Sequence, residues 1–357
     1  MTRGTLYKVI ILANENEDDH IQWLNACKDF SKQVDYRVVN LTHDNWMEEI
    51  NKKPFDILLA KPPRLSSLFK QLYDERIFVL NHVLHYPVYP ALPEILLYEN
   101  KRFLSYWLKA NKIPHPETHV FYDKNEALFF LSNTSYPVVG KSNIGASGSG
   151  VKILHNPKKA KAYLNLCYSE KGAPRRWGPN VRQGHFIKRG LHYIRHPHDI
   201  KRKAAYYVKV KNENQKGFVV IQEYIEHKFE WRVVRIGNSF FAHKKIVKGD
   251  KASGSLIKSY ENPPFQLLDF VKRITDKFKL YSQAIDIFEI TDGQYLVNEM
   301  QCIFGQSDPY QMLVDGKPGR YRYLNDKWIF EEGDYTRNEC FNLRLDFIIN
   351  DFSKNKI

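Results

Sequence analysis

Residues 136–154 read Tyr136-Pro-Val-Val-Gly-Lys141, Ser142-Asn-Ile-Gly-Ala-Ser-Gly-Ser-Gly150 and Val151-Lys-Ile-Leu154. The outer pieces are short apolar runs of strand character, and the middle is a small-residue loop. Glycines at 145, 148 and 150 let backbone N–H groups approach oxyanions, and Lys141 adds a positive charge. Gly140-Lys141-Ser142 is not a P-loop, because Ser135 stands where the leading glycine belongs and no helix follows directly. Taken by itself, such a loop reads equally well as a flexible hairpin. Its neighbours decide.

Upstream, strand-like runs at 7–13, 35–41 and 55–60 alternate with helical patterns at 18–31, 43–51 and 66–75. That alternation predicts a parallel sheet covered on both faces, an α/β unit. It lacks GxGxxG, so a dinucleotide fingerprint is absent. The Tyr-, His- and Pro-rich stretch 82–93 reads as an ordered connector at a first boundary.

Downstream, Phe218-Val-Val-Ile-Gln-Glu-Tyr-Ile225 is a buried strand ending in a carboxylate, and Glu230 follows seven residues after Glu223. Phe240 to His243 reads as another strand, with Lys244 and Lys245 after it. By strand alternation only one of the two lysines can face a given side. Ala284 to Phe288 and Tyr295 to Gln301 pair through a turn at Asp292-Gly293. Asp286 and Glu299 then lie side by side, a natural pair for Mg²⁺, although such pairs are also commonly solvated or bound to lysine.

In this order the features resemble the ATP-grasp superfamily of carboxylate–amine ligases, over residues 95–305 and more weakly before them. The resemblance implies an ATP-grasp fold of mixed α/β (α+β) class with an N-terminal parallel-sheet pre-ATP-grasp domain. It divides the chain into 1–98, a central subdomain 99–221 and a C-terminal subdomain 222–357. Lys101, Lys141 and the loop residues Gly145, Ser147, Gly148 and Gly150 would hold the ATP phosphates. Gln222, Glu223, Tyr224 and Ile225 would hold adenine, and Glu230 the ribose. Asp286, Glu299 and Gln301 would hold Mg²⁺, with Gln301 standing where the family usually has Asn. The implied reaction activates a carboxylate as an acyl phosphate, which an amine then attacks. Arg232 is the acid-binding candidate, with a plain ion pair to a neighbouring acid as its alternative. Lys245 would sit near the transferring phosphate. The loop 248–255, with Ser253, would close over the reacting groups to exclude water. Residues 304–321 resemble a RimK-like branch that accompanies surface-polysaccharide genes.

The chain of 357 residues carries a formal charge of +14, and residues 170–216 hold thirteen Lys and Arg against three acids, net +10. Aromatic residues interleave with those cations, which suits an acidic sugar chain or carrier. The same mix suits single-stranded nucleic acid, ranked below the acidic acceptor, or peripheral contact with an anionic membrane. A solubilising surface insertion is the plain alternative. His192 to His198 reads as a basic loop, since Pro197 interrupts it and no Cys or carboxylate partner accompanies the histidines. No apolar run approaches the roughly 18 residues of a membrane span, and four widely spaced cysteines suit a reducing cytoplasm. The expectation is a cytoplasmic ATP- and Mg²⁺-dependent ligase joining an acidic, uronic-acid-type acceptor to an amine donor. An amino-acid or peptide ligase and a non-catalytic ATP-binding regulator remain open.

Overall fold

The computed structural model describes residues 6–352 except 17, 146–148, 176–207, 209–212, 214, 249–250, 253–256, 292 and 307. Ser147, Gly148, Ser253, Asp292, most of the closing loop and most of the basic segment, with its histidines, lie outside the described residues.

The N-terminal sheet is built from β1 (Tyr7–Ala13), β2 (Val34–Asn40), β3 (Ile57–Ala60) and β4 (Val88–Tyr89). Its order is β2-β1-β3-β4, all parallel. Helices α1 (Ile21–Asp29), α2 (Trp46–Asn51), α3 (Ser67–Phe78) and α4 (Leu92–Leu97) connect and cover it. The stretch expected as a connector contributes β4, a strand too short for periodicity to reveal. Ile10, Ile11 and Leu12 are buried on both faces, as a central parallel strand requires. Trp23 of α1 anchors one layer, donating its indole N–H to the Ala60 carbonyl at 3.2 Å.

The second sheet has order β5-β8-β6-β7, from β5 (Thr118–Phe121), β6 (Val138–Lys141), β7 (Val151–Leu154) and β8 (Val219–Glu223). Helices α5 (Lys101–Ala110), α6 (Lys124–Asn133) and α7 (Pro157–Cys167) belong to this part. Asn100, Asp123 and Asn156 cap them by accepting backbone N–H bonds.

The third sheet runs β14-β13-β9-β10-β16-β15. Its strands are β9 (Phe229–Ile236), β10 (Ser239–Lys248), β13 (Ser282–Thr291), β14 (Gln294–Gln301), β15 (Leu313–Val314) and β16 (Lys317–Leu324). Short strands β11 (Lys251–Ala252) and β12 (Lys258–Ser259) pair with β10, and β17 (Lys327–Glu332) pairs with β16. Strand β10 runs well past His243, so Lys244 and Lys245 lie inside it instead of following it. Two adjacent lysines, one on each face of the strand, broke the pattern that would have extended it. Helix α8 (Phe265–Lys277) backs this sheet, burying Leu267, Leu268 and Val271. Helix α9 (Phe341–Phe347) returns to the first sheet, where Phe341 meets Trp23 edge-on at 4.7 Å.

Gly237 turns the chain between β9 and β10 at φ +55°, and an added Cβ would lie 2.3 Å from the Phe347 ring. Gly237→Ala is therefore expected to lose about 1–2 kcal/mol to left-handed strain and about 1–3 kcal/mol to overpacking. Urea unfolding measures the sum. A change below about 0.5 kcal/mol, the range of a neutral surface substitution, would contradict the packing described.

Candidate active site

The second and third sheets face each other across a cavity of about 510 Å³ that also reaches the first sheet. The register of the third sheet arranges one wall. Glu299 opposes Asp286, Asp286 opposes Arg232, and Arg232 opposes His243. These four residues therefore form one row across β14, β13, β9 and β10. Glu230 and Lys245, themselves paired in register, form part of the next row. Trp231 and Val233, of opposite parity on β9, are buried in the apolar core behind.

A β-bulge completes this wall. Asp286 opposes Glu299 but Ile287 opposes Val297, so Asn298 is an extra residue. Val297 and Met300 consequently both enter the core although three apart. Asn298, Glu299 and Gln301 all line the cavity. Asn298 accepts from Lys141 Nζ at 2.9 Å and donates to Glu230 Oε1 at 3.1 Å, tying the two sheets together.

The wall is densely charged. Arg232 donates from two nitrogens to both oxygens of Asp286, at 2.8 and 2.9 Å. Lys245 bridges Glu230 at 2.5 Å and Asp286 at 2.6 Å. Lys244 points elsewhere, over the Phe229 and Trp231 rings. Burial works to raise the Asp286 pKa, but Arg232 and Lys245 outweigh it and hold the carboxyl well below the usual range. Burial would likewise lower Lys245, yet Asp286 and Glu230 raise it, so it stays charged. Arg232 is thus an ion-paired strand arginine in this structure, while still lining the cavity.

The facing wall carries Lys101, at the start of α5, and Lys141, at the end of β6. The α5 start is fixed beside the glycine loop because Asn143 accepts from the Lys101 and Arg102 backbone N–H groups. Lys101 lies 3.5 Å from Glu299. Burial pushes the Lys141 ammonium down to about 8, with Glu299 opposing that shift. The Gly145 N–H donates to Glu99 at 2.9 Å. A Cβ at Gly150 would sit 1.6 Å from Ser142 Oγ, so this close return of the hairpin needs glycine. Val139, Val151, Ile153, Ile225 and Phe288 give the cavity an aliphatic and aromatic slot beside Glu223 and Tyr224. Gln222 is buried and donates to Thr118 Oγ1 at 2.9 Å.

Glu299 and Gln301 offer a carboxylate and an amide carbonyl to the cavity, an all-oxygen set that fits Mg²⁺. Asp286 fits less freely, since Arg232 and Lys245 already engage its oxygens. Among the described residues no three His, Cys, Asp or Glu side chains converge as a metal site. A cation here would share its coordination with water and phosphate oxygens, as Mg²⁺ does.

Sequence reasoning missed Asn298, His243 and Phe288, and also Lys61 and Arg64, which follow β3 and line the cavity. The last two stand just past the carboxyl end of β3, beside the switch between β1 and β3, where open parallel sheets bind ligands. That position was available from the strand order, and Lys61-Pro-Pro-Arg64 was the signal. His243 has no motif. Its Nδ1 bonds the Gln311 carbonyl at 2.9 Å, and burial, with Arg232 nearby, pushes its pKa down to about 3.

A parallel-sheet unit followed by two antiparallel sheets closing on a cleft is the ATP-grasp fold, and solved structures share it. The ADP complex of purK, N5-carboxyaminoimidazole ribonucleotide synthetase, aligns with TM-score 0.56 and 13% identity over 98% of this chain and 79% of that one. D-alanine–D-alanine ligase from Bacillus anthracis aligns with TM-score 0.50 and 15% identity over 98% and 100%. The biotin carboxylase domain of Hydrogenobacter thermophilus 2-oxoglutarate carboxylase gives 0.51 and 15% over 86% and 66%. In sequence, the chain is 34% identical over 79 residues to alpha-aminoadipate–LysW ligase LysX of Saccharolobus solfataricus, spanning 22% of this chain and 29% of that protein. No family model matches the chain. No helix among the described residues is long and apolar enough to cross a membrane.

Proposed function

We propose that the chain is an ATP- and Mg²⁺-dependent carboxylate–amine ligase, divided into the units 1–98, 99–221 and 222–357. The observation that carries this reading is the row Glu299–Asp286–Arg232–His243 facing Lys101 and Lys141 across one cleft with an apolar slot. Adenine suits the slot, with Gln222 to Ile225 along its edge and Glu230 within reach of the ribose. Lys101, Lys141 and the Gly145–Gly150 loop suit the triphosphate. Glu299 and Gln301 would hold Mg²⁺, which when bound neutralises phosphate oxygens. In this reading the acid's carboxylate oxygen attacks the γ-phosphorus and ADP leaves. The amine then attacks the acyl carbon, and phosphate leaves carrying the amine's proton. The chain supplies position and charge at both steps. Arg232 faces the developing charge, and Ser253 with the loop around it would exclude water.

The acceptor we favour is an acidic, uronic-acid-type glycan or its precursor, on the charge of residues 170–216. A second reading, a ligase of amino acids, is favoured by the likeness to LysX and to D-alanine–D-alanine ligase, whose names specify amino-acid substrates. The test supplies ATP, Mg²⁺ and paired panels of uronic acids, amino acids and amines, reading ADP and new amide by mass. Acid- and amine-dependent ADP supports the ligase, and the productive panel chooses the acceptor. ADP formation that depends on no acid–amine pair overturns it.

Nucleotide affinity is also expected to depend on pH. Lys141 loses its proton as pH rises through about 8, so the free site loses a cation that a polyanion needs. Above that pH, binding takes up a proton and affinity falls by up to about tenfold per unit. Titrations of ATP binding between pH 7 and 9 measure this, and Lys141→Met should flatten the profile.

A further inference from the structure

His243 is buried, with only 2% of its surface exposed, yet it belongs to the row that lines the cavity. Its Nδ1 faces a carbonyl oxygen, so Nδ1 carries the proton and Nε2 presents a lone pair. That Nε2 has no hydrogen-bond partner among the described residues. The neighbouring donors are engaged elsewhere: Arg232 on Asp286, and Lys258 on Asp308 at 2.5 Å. A buried acceptor without a partner, on a residue at the lining of a cleft, calls for a group that brings a donor.

The row also tells which end of the reaction His243 serves. Glu299, Asn298, Lys101 and Lys141 gather at the β14 end, where phosphates fit. His243 lies three strands away on β10, about 14 Å at the usual strand spacing. Arg232 lies between. Of the three reacting groups, the γ-phosphate and the acid's carboxylate bring acceptor oxygens, which a lone pair repels. The nucleophile brings N–H groups.

We infer that His243 receives the amine, its Nε2 accepting one N–H so that the nitrogen lone pair points toward the acyl carbon held near Arg232. The inference rests on the ligase reading. The amine attacks as the neutral base, since only an unprotonated nitrogen has a lone pair, and burial around His243 disfavours an ammonium ion there. The C–N bond forms as the acyl C–O bond to phosphate breaks, and the amine proton departs on the phosphate. His243 holds the amine and stores no proton.

The experiment compares wild type, His243→Leu and His243→Gln, using the acid and amine found productive in the panels, with hydroxylamine at high concentration to trap acyl phosphate as hydroxamate. In His243→Leu, hydroxamate and acid-dependent ADP should stay within about threefold, while the amine's KM rises at least about tenfold. His243→Gln, whose amide oxygen can replace the acceptor, should recover most of that loss. An unchanged amine KM, a shift in the acid's KM instead, or a parallel fall in hydroxamate would each overturn the assignment. If wild type makes no acid-dependent ADP, the ligase reading itself fails and this inference falls with it; if wild type makes it and His243→Leu behaves as wild type, only this inference falls.

Discussion

Glu299→Gln is expected to lower ADP formation by about 10²–10³-fold, the effect of removing one preorganised charge partner of a reacting centre, while leaving the fold intact. Both halves follow from the environment of Glu299. Its side chain is 25% exposed and its ion pair with Lys101 is long, at 3.5 Å. Such pairs contribute about 0–1 kcal/mol, so urea unfolding midpoints should barely move. The carboxylate charge is what the proposed Mg²⁺–triphosphate site needs, and the isosteric amide removes it without opening a hole. Raising Mg²⁺ should restore part of the rate, since a lost ligand weakens the metal more than the fold. Full activity in Glu299→Gln would exclude the metal role. A large drop in stability would show that this end of the row is structural.

Much of this site was legible in the sequence because it lies on strands. The hairpin at 292–293 suffices to set Asp286 beside Glu299, whereas bringing Lys141 and Glu230 to the same cleft was implied by the family resemblance. What alternation could not reveal is the bulge at Asn298, which changes the phase of β14. Without it, Asn298 would face the core with Val297's neighbours instead of joining Lys141 to Glu230. The pairing of Arg232 with Asp286 was legible only as an alternative, because it depends on the lateral register of β9 and β13, which no local pattern encodes. His243 was illegible for a different reason. A histidine between apolar residues reads as an ordinary core residue until its two ring nitrogens can be told apart. The first sheet's contribution, Lys61 and Arg64, went unread although Lys61-Pro-Pro-Arg64 directly follows the strand read at 55–60.

Lys245→Met is expected to destabilise the protein by about 3–5 kcal/mol, the cost of breaking a buried ion pair from one side. Glu230, Lys245 and Asp286 are 7%, 4% and 2% exposed. Methionine fills most of the volume, so the loss is electrostatic. Asp286 would keep Arg232, but among the described residues Glu230 would retain only the Asn298 amide at 3.1 Å and His227 at 3.7 Å. The pH dependence gives the sign. Asp286 has a folded pKa below its unfolded value, so its contribution is present above the unfolded pKa and is lost as pH falls through the folded one. The difference between wild type and Lys245→Met should therefore be full near neutrality and shrink on acidification, as the carboxylates protonate in both proteins. Adding Glu230→Gln to Lys245→Met should return at least part of the loss, because it removes the charge left uncompensated. A penalty below about 1 kcal/mol, typical of exposed pairs, would mean that water reaches these groups freely. The row could then not act as a preorganised wall, since dipoles and charges aimed at a reacting centre gain their strength from the exclusion of water.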